Sequence, residues 1–79
     1  MYPKIALVRI GKNIRKIRNE KNISQQDLAA VCNFEKSNMS RIESGKTNLT
    51  IGTLLKICEA LHVKLSDVID IEDSIIPDS

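Results

Sequence analysis

The stretch SQQDLAAVCNFEKSNMSRIESGK, from Ser24 to Lys46, limits what this chain can fold into more than any other. It carries two apolar patterns at helical spacing, with only a few residues between them. Ser24 is placed to cap the first helix. Asp27, three residues on, is a near-match to a capping box, with Asp where Glu or Gln is usual. Leu28, Ala29 and Val31 or Cys32 supply the apolar side. Asn33 can take the left-handed conformation that ends a helix, and Phe34 plugs the turn. The second helix runs from Glu35 or Lys36 to Ser44, where Gly45 stops it. Two helices and a turn of three to four residues make a helix-turn-helix pattern.

The second helix has two chemically different sides. Lys36, Ser37, Ser40, Arg41 and Ser44 form one outward stripe, and Met39, Ile42 and Glu43 lie on the other side. Short hydroxyls allow close approach to bases and phosphates. Arg can bond a guanine edge with two parallel hydrogen bonds, and Lys can reach the same edge or a phosphate. An ordinary solvated face would mix acids among its lysines, and this stripe has none. Glu43 is different. A carboxylate in the last turn opposes the helix dipole, so it calls for a cationic partner.

Three further helical stretches flank this pair, and no segment alternates as a strand would. Helix 1 begins between Pro3 and Val8, carries Ile10, Ile14 and Ile17 inward, and ends near Lys21, with Asn22 as its left-handed stop. Thr50 caps helix 4, which runs to about Leu61 with Leu54, Ile57, Cys58 and Leu61 inward. Ser66 is expected to cap a short helix 5, SDVIDI. The expected organisation is all-α: one domain over 1–79, with a core at about 8–70 and a short acidic tail at 71–79.

Charge is segregated. Residues 1–65 hold all 12 Lys and Arg against five acids, and residues 66–79 hold the other five acids and no base. A basic body with an acidic end fits a polyanionic partner. Other classes fall away. No apolar run approaches the roughly 18 residues of a membrane span. The N-terminal apolar stretch is broken by Arg9 and lacks a small-residue cleavage site, so a cytoplasmic protein is expected. Cys32 and Cys58 do not make a disulfide framework, and Cys58, at an inward helical position, reads as a reduced, buried thiol acting as a small hydrophobe. Cys58 and His62 have the spacing of half a zinc site, but too few ligands remain, so no metal is expected. One histidine, with no nucleophile–base arrangement, gives no enzymatic site and no cofactor.

From Ile10 to Ile69 the chain resembles the phage repressor and Cro type of helix-turn-helix regulator. The resemblance rests on IRKIRNEKNISQQDLA, the turn VCNF, the helix SNMSRIESGK, and TIGTLLKICEALHVKLSDVI. It implies a compact five-helix, lambda-repressor-like DNA-binding domain, usually a homodimer on a palindromic operator, with helix 3 in the major groove. By residue, it implies base contacts from Lys36, Ser37, Asn38, Ser40 and Arg41. It implies phosphate contacts from Gln25, Ser44, Lys46 and Asn48. Arg18 is the implied partner of Glu43. Asn33 stands where the family usually has glycine, and Glu35 where it usually has Ser or Thr.

The expected function is transcription regulation, as a repressor or autoregulator of double-stranded operator DNA. The size and the NLT before helix 4 resemble restriction–modification controllers. An antitoxin-type interaction module is the alternative. A homodimer is expected through the aliphatics Leu65, Val68, Ile69, Ile71, Ile75 and Ile76. No small-molecule effector and no membrane partner are expected.

Overall fold

The computed structural model describes residues 3–69. It contains five helices: α1 (Pro3–Glu20), α2 (Gln25–Cys32), α3 (Lys36–Glu43), α4 (Ile51–Leu61) and α5 (Leu65–Val68). No strand occurs among the described residues. The fold is thus all-α and five-helical, as the sequence implies. α3 packs between α2 and α1, α2 rests on α4, and α5 closes the fold against α1 and α4.

α1 starts at Pro3, where a missing N–H costs nothing because first-turn amides have no helical partner. Ala6, Ile10 and Ile14 form its buried stripe, so burial begins before residue 8. Ser24 Oγ accepts the Asp27 amide at 3.0 Å to cap α2, and Thr50 Oγ1 accepts the Thr53 amide at 3.1 Å to cap α4. α5 departs from expectation. Its cap is Lys64 rather than Ser66, and it ends at Val68. The Asp67 carboxylate accepts the Lys64 amide at 3.0 Å. This is the returning half of a capping box, the only half open to a lysine, whose ammonium has no lone pair.

Four helices end alike. Asn22, Asn33, Gly45 and His62 all have positive φ, between 57° and 72°. After each one, the next amide reaches back to a carbonyl five residues earlier: Ile23 to Arg18, Phe34 to Ala29, Lys46 to Arg41 and Val63 to Cys58, at 2.8–3.0 Å. This is the Schellman closure, which satisfies carbonyls the helix leaves orphaned. Ile23, Phe34 and Val63 then pack on the core, sealing the ends of α1, α2 and α4. Lys56 Nζ also lies 5.6 Å from the Phe34 ring centroid, holding the ring from outside.

Ile14, Leu28, Met39, Ile42, Ile57, Leu61 and Val68 are fully buried and form one continuous core. Cys32 and Cys58 are free thiols within it. Burial pushes both thiols above their ordinary pKa; the Lys56 charge opposes this at Cys32, and Asp67 adds to it at Cys58. One open alternative is resolved, and one expectation needs correction. On α2 the inward residue is Cys32, while Val31 is 71% exposed. Val68, expected at a dimer interface, is 0% exposed in the chain's own core, and its carbonyl accepts from Asn13 Nδ2 at 2.8 Å. Leu65 is half-buried and Ile69 exposed; Ile71, Ile75 and Ile76 lie outside the described residues.

Candidate nucleic-acid interface

α3 has eight residues and divides cleanly. Met39, Ile42 and Glu43 are at most 2% exposed, while Lys36, Ser37, Asn38, Ser40 and Arg41 are all exposed. The five residues implied to read bases therefore share the solvent side of one helix. A helix of this width can enter a B-DNA major groove, and its exposed donors suit guanine O6 and N7, the acceptors that groove displays.

Glu43 anchors the opposite side. Arg18 Nε donates to its Oε2 at 2.8 Å, and Arg18 Nη2 to its Oε1 at 3.0 Å, a two-pronged pair. Arg18 Nη1 also donates to the Ile23 carbonyl at 2.9 Å, just beyond α1. Two further donors reach Oε1: Gln25 Nε2 at 3.2 Å and Arg15 Nε at 3.4 Å. One buried carboxylate thus ties α1, α2 and α3 together. Sequence reasoning supplied Arg18 alone. Arg15, three residues before Arg18 on the same helical face, was the available signal for a second cation.

The close approach of α3 to α1 depends on small residues. A Cβ built on Gly11 would lie 2.5 Å from the Glu43 carbonyl oxygen and 2.6 Å from that of Ile42. One built on Gly45, at φ +72°, would lie 2.6 Å from the Val8 Cα. Gly11 was not singled out from sequence. An isolated glycine inside a helical pattern is the mark of such a contact.

The residues implied to hold phosphates fall in two places. Gln25 stands at the start of α2, half-buried, with its amide Nε2 donating to Glu43. Ser44, Lys46 and Asn48 follow α3. With Lys4, Val8 and Thr47 they line an open groove of about 590 Å³ beside the first turns of α1. Lys4 and Thr47 are additions that the sequence did not indicate. Lys46 occupies the position where the other Schellman closures place Ile23, Phe34 or Val63, yet it is exposed. At the end of α3 it is Val8 of α1 that packs against the buried Gly45, and the Lys46 side chain stays in solvent.

The chain is similar to known proteins in sequence and in fold. Residues 13–74 match the model of the Cro/C1-type HTH DNA-binding domain. The chain belongs to this family. It is 37% identical over 67 residues to Control protein C.MunI from a Mycoplasma species, covering 82% of this chain and 90% of that one. The restriction-modification controller protein C.AhdI from Aeromonas hydrophila superposes with a TM-score of 0.79 at 28% identity, covering 82% of this chain and 94% of that one. Antitoxin PezA from Streptococcus pneumoniae is more distant, at 27% identity, and the chain spans 38% of its length.

As a Cro/C1-type domain, the chain is a helix-turn-helix DNA-binding regulator. α2 and α3, joined through Asn33–Glu35, are its helix-turn-helix. None of its described helices is long and apolar enough to cross a membrane.

Proposed function

We propose that this chain is a sequence-specific transcription regulator that binds a palindromic operator as a homodimer, acting as a repressor or autoregulator in a restriction–modification operon. The observation that carries this reading is the outer face of α3: five exposed polar or cationic residues, with no acid on that face of the helix, backed by a buried carboxylate, Glu43, that fixes the helix to α1 and α2. Lys36, Ser37, Asn38, Ser40 and Arg41 contact bases; Gln25, Ser44, Lys46 and Asn48 contact phosphates. The restriction–modification setting rests on likeness to the control protein C.MunI and the controller C.AhdI. The antitoxin alternative has only the distant, partial match to support it.

The homodimer follows from reach. One eight-residue helix spans only a few base pairs, and two copies related by a two-fold axis read both halves of a palindrome. Leu65 and Ile69 remain candidates for the interface, with Ile71, Ile75 and Ile76 beyond the described residues. Val68 is removed from it by its burial. The protein acts in the cytoplasm, and its own concentration sets occupancy, without a small-molecule effector.

Selection of bound sequences from a random double-stranded DNA pool tests the proposal. The expected product is an inverted repeat with half-site centres about 34–36 Å apart, bound by a species that sediments as a dimer. A pool that shows no enrichment after repeated rounds overturns sequence-specific regulation. Enrichment of a single, unrepeated half-site by a monomer overturns the dimer.

A further inference from the structure

Among the described residues Glu35 is an acid placed beside the cationic face of α3, and the fold makes no use of its carboxylate. It is the N-cap residue, in extended conformation at φ −73° and ψ 148°, yet its side chain caps no amide. Only its backbone carbonyl is engaged, accepting from the Asn38 and Met39 amides. Among the described residues the carboxylate has no hydrogen bond and no ion pair, and the residue is exposed. It is also placed with the reading residues. Glu35 shares an open groove of about 420 Å³ with Asn33, Phe34, Ser37, Asn38 and Arg41.

An idle acid here has a cost. DNA carries one phosphate charge per about 1.7 Å of duplex axis, and a carboxylate brought close is repelled unless it meets a donor. The bases display only two donors in the major groove, the N4 amine of cytosine and the N6 amine of adenine. A carboxylate only accepts hydrogen bonds. Adenine's N6 is flanked by its own N7 acceptor and by O4 of the paired thymine, both of which repel a carboxylate, whereas cytosine carries no acceptor of its own on that edge and its N4 is flanked only by O6 of the paired guanine.

We infer that Glu35 is a specificity-determining residue that accepts a hydrogen bond from the N4 amine of one cytosine in each half-site. This rests on the reading of α3 as the base-reading helix and extends it by naming a base. Arg41, lining the same groove, favours guanine, so the two side chains together select G·C pairs at the edge of the half-site. Glu35 also occupies the N-terminus of α3, which excludes a phosphate from that end and leaves it to the bases.

The test compares sequences selected from one random DNA pool by the full chain and by Glu35→Ala and Glu35→Gln. Because the carboxylate holds nothing in the fold, both variants should keep the parent's thermal unfolding midpoint within a few degrees, which circular dichroism checks. The parent is expected to enrich cytosine in one column per half-site, by about 5- to 150-fold over other bases. Glu35→Ala should flatten that column alone. Glu35→Gln should shift it to adenine, whose N6 and N7 match a carboxamide. An unchanged column in Glu35→Ala overturns the inference, as does adenine in the parent's column. So does Glu35→Ala tightening on all sequences alike, which would make the acid merely repulsive. In each of these cases the parent still selects a sequence, so the regulator reading stands; a parent that selects nothing overturns that reading first.

Discussion

Arg18 grips Glu43 through two nitrogens, at 2.8 and 3.0 Å, with the pair almost out of water. The two residues lie 25 positions apart, and the bond joins the end of α1 to the last turn of the recognition helix. Replacing either by alanine strands the other charge in the interior, which should cost about 3–5 kcal/mol. Urea unfolding of Arg18→Ala, Glu43→Ala and the double variant measures this. The double variant should be less destabilised than the two singles added together. Simple additivity would show that the pair is not coupled.

Gly11 and Gly52 should respond oppositely to alanine. Both lie in helices, where alanine is intrinsically favoured by about 1 kcal/mol. At Gly52 the nearest heavy atom to a new Cβ is 3.8 Å away, so Gly52→Ala should raise stability by about 0.4–1 kcal/mol. At Gly11 the new atom meets the α3 backbone at 2.5 Å, and backbone cannot swing aside. Gly11→Ala should destabilise, by about 1–3 kcal/mol, and weaken DNA binding by displacing α3. Thermal melts of the two variants in parallel check the sign.

Lys46→Ala should weaken all DNA sequences about equally. Lys46 is exposed just beyond the end of α3, lining one groove with Ser44 and Asn48. Losing one phosphate contact should reduce the log–log salt slope of binding by about 0.9. Fluorescence anisotropy across a salt series reads the slope; an unaltered slope would move the contact elsewhere, with Lys4 as the next candidate in that groove.

Arg41→Ala should instead relax choice. Its side chain is exposed on the outer face of α3, and on the proposed reading the loss of a two-pronged guanine contact should cost roughly 1–3 kcal/mol on the operator and little on scrambled DNA. Competition between the two DNAs measures the ratio. Full discrimination by the variant would assign the role to Ser37 or Asn38.

Stability should fall in alkali. Burial raises the Cys32 and Cys58 thiols above the 9.0 expected of an exposed thiol, so the folded state holds their protons more firmly than the unfolded state does. Their contribution is complete below pH 9.0 and is lost as pH rises from there through the folded pKa values. Cys58→Ala, whatever its cavity costs at pH 7, should decline less steeply above pH 9. Equal alkaline slopes for the two proteins would assign the fall to other groups.

What the sequence determined by itself is the local structure and the chemistry of one face. The caps at Ser24 and Thr50, the left-handed stops at Asn22 and Asn33, and the apolar spacing of Ile10 and Ile14 are all settled within a turn or two of chain, where the interacting groups are neighbours in sequence. The same holds for the stripe from Lys36 to Arg41, because residues spaced by one helical turn share a side whatever surrounds them. His62 was harder to see, since histidine visits the left-handed region less often than asparagine. The tertiary structure decided what depends on how helices cross. Cys32 rather than Val31 turns inward because of how α2 is rotated against α4, which sets the Cys32 Sγ 3.9 Å from the Lys56 carbonyl. Val68 closes the core because α5 lies against both α1 and α4. Arg15 and Gln25 converge with Arg18 on Glu43 from points up to 28 positions away, and only the approach of α3 to α1 over Gly11 brings them within reach. A periodic pattern tells which side of a helix is buried; it does not tell which neighbour meets it, because that is fixed by packing among all five helices at once.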